Sequence, residues 1–331
     1  MPVTAVRFGV LGAARIAPAA LVRPARTNPE ASVEVVAARD VGRAAAFARR
    51  HRLPRVLPSY EAVVSDPEVD AVYVPLPNSL HGEWTLAAIE AGKHVLCEKP
   101  FTSNAEQARI VANAARAAGP SLVVMEAFHF RYHPLAQRMR EIVEGGELGR
   151  LRHIEAWLCA PIFDTSDIRY QVGLSGGAMM DMGSYVVNMA RMLGGGEPTV
   201  VAAEAKLQSP QLDRAMSARL QFEAGHTASV HCSMWSTSVL RLSARVLGDQ
   251  GELRVFNPIA PQYVSWLTVR CGGTRRTEIP TRHPTYAFQL DAFCDAVLRG
   301  RPVLTGPDDA VANMVVIDAV YRAANMAPRA T

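Results

Sequence analysis

The chain has 331 residues, 49% of them hydrophobic and 20% charged, which is ordinary globular composition in more length than one core usually fills, so two domains are expected. Its net charge is 35 − 31 = +4, too small and too spread an excess to point to nucleic acid, and no apolar run reaches the ~18 residues of a membrane span. The first residues enter structure with no basic-then-apolar leader, and the five cysteines never form a C-x-x-C pair, so a cytoplasmic protein without a disulfide framework, zinc site or other metal is expected.

In chain order, Val6–Leu11, Val33–Ala38, Ala71–Val74, His94–Cys97 and Leu122–Ala127 are short apolar runs rich in Val, the pattern of strands covered on both faces. Amphipathic stretches at Ile16–Arg26, Gly42–His51, His81–Ala91 and Ala105–Ala118 alternate with them; Ser103 or Asn104 is placed to cap the last. This alternation predicts a doubly wound parallel sheet over residues 1–127. Residues 128–331 have another rhythm. A helix over Pro134–Glu144 is followed by strand-like segments at Arg152–Leu158, Val200–Leu207, Met216–Phe222, Thr227–Met234, Ala244–Gly248, Leu253–Phe256 and Ser265–Arg270. With helices near Gly183–Leu193, Tyr286–Arg299 and Asp308–Ala324, this predicts an α+β domain with an open, mostly antiparallel sheet, and an α/β class for the whole chain.

The segment Val6 to Ala17 reads as strand, glycine turn and helix start. Gly9, Gly12, Ala13, Ala14, Arg15 and Ile16 therefore form a candidate phosphate-binding turn, because small residues let the backbone approach a pyrophosphate and a helix N-terminus offers unpaired N–H groups. Strand two ends at Ala38-Arg39-Asp40. A small residue at the position that usually carries a ribose-binding carboxylate, followed by an arginine, favours NADP over NAD; Asp40 is the alternative ribose acceptor if the strand runs two residues further.

Only three basic residues are lysines: Lys93, Lys99 and Lys206. Lys99 follows the strand His94–Cys97 at the sheet edge where ligands bind, and a partly desolvated lysine there can exchange a proton that arginine cannot. The plain alternative is a surface lysine, which fits Lys93. Downstream, Asp181, Tyr185 and Asn188 fall on one face if a helix starts near them; a capping Asp and a core Tyr are the plain alternative.

Together these segments resemble the Gfo/Idh/MocA oxidoreductase family. The resemblance runs through the Gly9-to-Ala17 turn, Pro77-Asn78-Ser79-Leu80-His81, Glu98-Lys99-Pro100, Phe130-Arg131-Tyr132-His133-Pro134, Gly176-Gly177 with Asp181-x-Gly183-x-Tyr185, and Tyr286–Phe293. It implies a Rossmann domain followed by a substrate domain whose open sheet carries homodimer or homotetramer contacts. It also implies Lys99 as proton donor and acceptor with Asp181 and Tyr185 as partners. Pro75, Asn78, His81, Glu98 and Lys99 would line the nicotinamide half of the cofactor, with Glu126 at the nicotinamide ribose. Ala14 stands where the family turn has a third glycine. Tyr185, where many inositol dehydrogenase-like members carry His, resembles the branch of glucose–fructose oxidoreductase, dimeric dihydrodiol dehydrogenases and aldose dehydrogenases, which implies NADP.

The expected function is hydride transfer between NADP(H) and a sugar, keto-sugar or cyclic diol, with Arg169, Tyr170, Asn188, His283 and Tyr286 as candidate substrate contacts. A cofactor-dependent glycosidase without net redox and a non-catalytic nucleotide sensor are the alternatives. His129 and His133 lie four apart but lack a third ligand signature, so no metal is expected there.

Overall fold

The Val-rich runs of the first third become strands with almost no exposed face. In the computed structural model, which describes residues 5–330, the strands β1 (Val6–Leu11), β2 (Ala31–Ala37), β3 (Arg55–Val56), β4 (Ala71–Val74), β5 (His94–Cys97) and β6 (Val124–Glu126) form one sheet ordered β3-β2-β1-β4-β5-β6. Every neighbouring pair is parallel, as helical crossovers require. Strand order reverses between β1 and β4, so the carboxyl ends of those strands flank the crevice where such sheets take ligands.

The helices of this sheet follow local chemistry. Asp40 caps Val41–His51 by accepting the Arg43 N–H at 2.8 Å, and Ser59 caps the short helix Tyr60–Val64 in the same way. The stretch after β1 is not the single regular helix expected over Ile16–Arg26. It is a π-helical turn, Pro18–Val22, running into one α-turn, Arg23–Ala25. Two prolines supply the reason, since neither has an N–H for the i→i−4 ladder.

The chain divides into two units by contact, and the division is not the contiguous one expected at residue 127. The first unit comprises Met1–Thr102, Glu106–His129 and also Tyr286–Val311. Phe293 of the helix Thr285–Arg299 stacks near Phe8 of β1 with centroids 5.4 Å apart. Thr305 continues the sheet edge by accepting the Glu126 N–H at 2.8 Å and donating its hydroxyl to the Glu126 carbonyl at 2.6 Å. Periodicity identifies a helix but not the core that it joins.

The second unit holds β7 (Leu151–Cys159), β8 (Thr199–Ser209), β9 (Leu212–Gln221), β10 (Thr227–Ser233), β11 (Arg241–Gly248), β12 (Gly251–Phe256), β13 (Trp266–Cys271) and β14 (Thr274–Glu278), ordered β14-β13-β12-β11-β7-β10-β9-β8. Only the β7–β10 pair is parallel. Ile154, Ala156 and Leu158 alternate with half-buried Glu155 and Trp157, so one face is core and the other is open. The helix Ser184–Gly194 covers the core face against β7 and β10. On the open face Trp157 stacks on His231 at 3.7 Å, Arg241 sits 3.6 Å over the Trp157 ring, and Phe256 stacks on Trp266 at 4.3 Å. Among the described residues no helix is long and apolar enough to cross a membrane.

Candidate active site

In the first unit, the turn after β1 forms at Gly12. Its φ of +99° suits glycine, its N–H bonds to the Ala37 carbonyl at 2.7 Å, and a Cβ there would approach Leu76 at 3.1 Å. Ala13, Ala14 and Ile16 are half-buried around it and Arg15 is exposed. Gly9 lies elsewhere: it is paired inside β1 with Val35 and Val72, and a Cβ on it would collide with Val63. What the fold shows at Gly9 is a demand for close packing against Val63 of the helix Tyr60–Val64. At the end of β2, Ala38 is buried and Arg39 is exposed. Asp40 is occupied as a helix cap, which leaves Ala38 and Arg39 to face whatever lies beyond the strand.

The loop after β5 leaves the same carboxyl edge. Lys99 is half-buried and is joined to Pro100 by a cis peptide bond. Glu98 is buried; it accepts the Tyr73 hydroxyl at 2.7 Å and the Lys99 N–H at 3.4 Å. Glu126, fully buried at the end of β6, accepts the Phe101 N–H at 2.8 Å and so fixes the far side of the Lys99 loop. Pro75 is buried and Asn78 begins the helix Asn78–Glu90. His81 in that helix is also buried, with Nδ1 at 2.7 Å from the Pro100 carbonyl and Nε2 at 2.8 Å from the Leu76 carbonyl. A neutral ring carries a single N–H, so His81 donates to one of these two carbonyls, and the tautomer decides which. Burial keeps the ring neutral, its pKa pushed down to about 4, against the pull of the two carbonyls and helped by the Lys99 charge.

In the second unit, Asp181 lies in a π-helical turn, Met179–Gly183, that leads into the helix Ser184–Gly194 carrying Tyr185 and Asn188. Arg169 donates through Nε to Asp181 at 2.7 Å and through a second nitrogen to Asp167 at 3.1 Å. These two carboxylates raise the Arg169 pKa further, Asp181 foremost. The backbone N–H of Arg169 also bonds Asp167 at 3.0 Å, so the short turn Ile168–Tyr170 presents the guanidinium in one direction. Tyr185 is buried near Phe130, with centroids 6.0 Å apart. Asn188 is fully buried and accepts from Arg131 at 3.0 Å.

The remaining candidates lie in separate segments of the chain. The Tyr170 hydroxyl donates to the Ile162 carbonyl at 2.8 Å and holds its own loop. His283 is exposed beyond the second sheet, with its N–H on the Thr281 hydroxyl at 3.2 Å. Tyr286 belongs to the first unit, its ring 4.2 Å from that of His129. Sequence reasoning missed Tyr73, Arg131 and Asp167, each of which braces a candidate side chain. Of these, only Arg131 had a local signal, its place in the Phe130–Pro134 motif.

Comparison with known proteins bears on both units. A model described as an oxidoreductase family with an NAD-binding Rossmann fold matches residues 6–126, and one for the GFO/IDH/MocA C-terminal domain matches residues 136–254. D-xylose 1-dehydrogenase (NADP(+)) 2 of Haloferax volcanii is 34% identical over 318 residues, covering 96% of this chain and 97% of its own. Trans-1,2-dihydrobenzene-1,2-diol dehydrogenase of Sus scrofa is 32% identical over 257 residues, covering 77% and 75%. A 3-ketoreductase from Actinomadura kijaniata, solved in complex with NADP and TDP-benzene, superposes with a TM-score of 0.88 at 29% identity over 96% of this chain and 97% of that one.

Proposed function

The chain belongs to the Gfo/Idh/MocA oxidoreductase family, and we propose that it is an NADP(H)-dependent dehydrogenase or reductase of a sugar, keto-sugar or cyclic diol. The observation that carries this reading is that the Gly12 turn and the Glu98-Lys99-Pro100 loop leave one carboxyl edge of one parallel sheet. A dinucleotide held by the first is thereby directed along the edge that carries Lys99.

The residues fit the cofactor. Gly12 leaves a cradle that a side chain would fill, Ala38 adds no carboxylate, and exposed Arg39 supplies a donor fork for a 2′-phosphate. When bound, NADP(H) supplies the hydride chemistry. Lys99 gives or takes the proton of the reacting hydroxyl. Glu98, held by Tyr73, and His81, whose Nδ1 lies 2.7 Å from the Pro100 carbonyl, fix the loop from which Lys99 acts. Tyr185 and Asp181 contact the substrate hydroxyl. Arg169 donates to Asp181 and orients its carboxylate. The sugar and diol dehydrogenases among the relatives support the proposed substrate class.

The test is turnover of aldoses, keto-sugars and cyclic diols with NADP(H) by the parent and by Lys99→Arg. Arginine keeps the charge but holds its proton, so kcat should fall by roughly 10²–10⁴, the usual scale for a lost general acid–base, with NADPH affinity within a few-fold. A Lys99→Arg enzyme with parental kcat removes Lys99 from the proton path. The open sheet face, with Phe256 and Trp266 exposed, is proposed to bury against a second copy in a homodimer or homotetramer. Sedimentation of Trp266→Glu should show a shift toward monomer, and an unchanged assembly places the interface elsewhere.

A further inference from the structure

We propose that Arg329 is a positioning residue for the reaction: acting through Asp213 and the Gly176–Gly177 turn, it sets the place of Asp181 and Tyr185. The inference rests on the reading of Asp181 and Tyr185 given above. Arg329 follows the helix Pro307–Ala323, far along the chain from the site, and its side chain is only 4% exposed. All three of its nitrogens are engaged. Nε donates to the Gly176 carbonyl at 2.8 Å, Nη1 to the Gln211 carbonyl at 2.6 Å, and Nη2 to Asp213 at 2.6 Å. Its guanidinium lies 4.6 Å from the Tyr321 ring centroid.

Asp213 completes the grip. Its side chain is 0% exposed; one oxygen accepts Arg329 and the Tyr321 hydroxyl, the latter at 3.0 Å, and the other accepts the Met179 N–H at 2.7 Å. One buried ion pair therefore holds the carbonyl at Gly176 and the N–H at Met179, on either side of the Gly177-Ala178 step. Gly177 has φ +125°, and a Cβ on it would collide with both Asp213 and Arg329. Its N–H bonds the Arg169 carbonyl at 2.8 Å and its carbonyl accepts the Asp181 N–H at 3.0 Å. The glycine pressed against the clamp thus touches the backbone of both members of the Arg169–Asp181 pair. Tyr185 follows in the helix that the same turn begins.

A pair that served stability alone would need no particular fork, and apolar replacements often serve as well. Here the planar geometry of Arg329 meets three acceptors in three directions, a task a lysine ammonium on one flexible stem does not reproduce. Arg329→Lys keeps the charge beside Asp213 and loses the simultaneous hold on Gly176. Small misplacements near reacting groups cost about tenfold to a hundredfold in rate, so kcat of Arg329→Lys should fall by that amount. KM should change much less, and NADPH binding, a property of the other unit, should stay within about twofold.

The experiment measures kcat per NADPH-binding site for Arg329→Lys, Tyr185→Phe and their combination, with Tyr321→Phe as a milder variant that removes one hydrogen bond from Asp213. Residues acting through one network are non-additive, so Arg329→Lys should lose most of its effect in the Tyr185→Phe background. Tyr321→Phe should lower kcat a few-fold, again without loss of NADPH affinity. A parental kcat per site in Arg329→Lys, or full multiplicative loss in the combination, overturns the proposal while Tyr185→Phe remains impaired. A parental kcat in Tyr185→Phe itself instead overturns the reading of the substrate site on which the proposal rests.

Discussion

At the end of β2 three consecutive residues divide the work of cofactor choice. Ala38 is buried, Arg39 is exposed, and Asp40 spends its carboxylate on the Arg43 N–H at 2.8 Å. β2 ends at Ala37, so the strand does not run on to Asp40, which lies beyond it with one carboxylate oxygen engaged as a helix cap. Among the described residues Arg39 enters no ion pair, and its fork is open to a 2′-phosphate. A charged hydrogen-bond pair of this kind contributes about 1.5–3 kcal/mol, or roughly ten- to hundredfold in affinity. Arg39→Ala should therefore weaken NADP(H) by about that factor and leave NAD(H) nearly unchanged, while Ala38→Asp should invert the preference by repelling the phosphate. The ratio of kcat/KM for the two cofactors checks both. A ratio unmoved by Arg39→Ala would assign the 2′-phosphate to another group on this edge.

Between residues and domains, the elements show what patterning can and cannot disclose. β1, β4 and β5 were legible because a strand covered on both faces has to be apolar throughout, and the observed spans are those expected. The hairpin strand β14 was not, because Thr274–Glu278 has no apolar alternation. Gly9 was legible as part of a glycine turn, and the structure uses its bare backbone to seat the helix Tyr60–Val64 against β1. Gly9→Ala should accordingly destabilise the first unit by about 1–3 kcal/mol, the scale of overpacking, and Val63→Ala in the same chain should restore most of the loss. Urea unfolding of the three variants measures this; no rescue by Val63→Ala would mean that the strain lies elsewhere. The clamp residues were invisible for a different reason. Arg329 meets partners 116 and 153 residues away; no spacing rule reaches that far. Lys99, Asp181 and Tyr185, with Glu98, Glu126 and Arg169, could be named as candidates from the sequence, whereas Tyr73, Asp167, Asp213 and Arg329 became visible only with the tertiary fold.

Across the whole molecule, burial leaves a signature on the titration of stability. Among the described residues, His51, His81, His94, His133, His226 and His231 have their pKa lowered from the ordinary value, in each case by burial above all. A histidine kept neutral in the fold binds its proton more readily once unfolded. The stability it contributes is therefore complete above about pH 6.5 and is lost as pH falls toward the folded pKa. For His81, lowered to about 4, the full loss is on the order of 3 kcal/mol, at about 1.4 kcal/mol per pH unit. Asp213 acts in the opposite sense, since burial raises its carboxyl to about 6 while Arg329 pulls it back, and it offsets part of the histidine effect in the same window. Below that window Glu278, held near 2 by Arg138 and Arg276, adds to the acid sensitivity. The net expectation is a urea midpoint that declines steadily from pH 7.5 to pH 5, with His81→Gln shallower than the parent. Glutamine can donate two hydrogen bonds without charge, so it can serve the Leu76 and Pro100 carbonyls at every pH. A midpoint that holds or rises on acidification would show Asp213 to dominate, and a His81→Gln slope equal to the parent's would show that the ring between the two turns does not titrate with unfolding. Because those turns carry Lys99, the parent's NADPH affinity and turnover should fail in the same pH range as its stability, and the His81→Gln enzyme should retain both to lower pH.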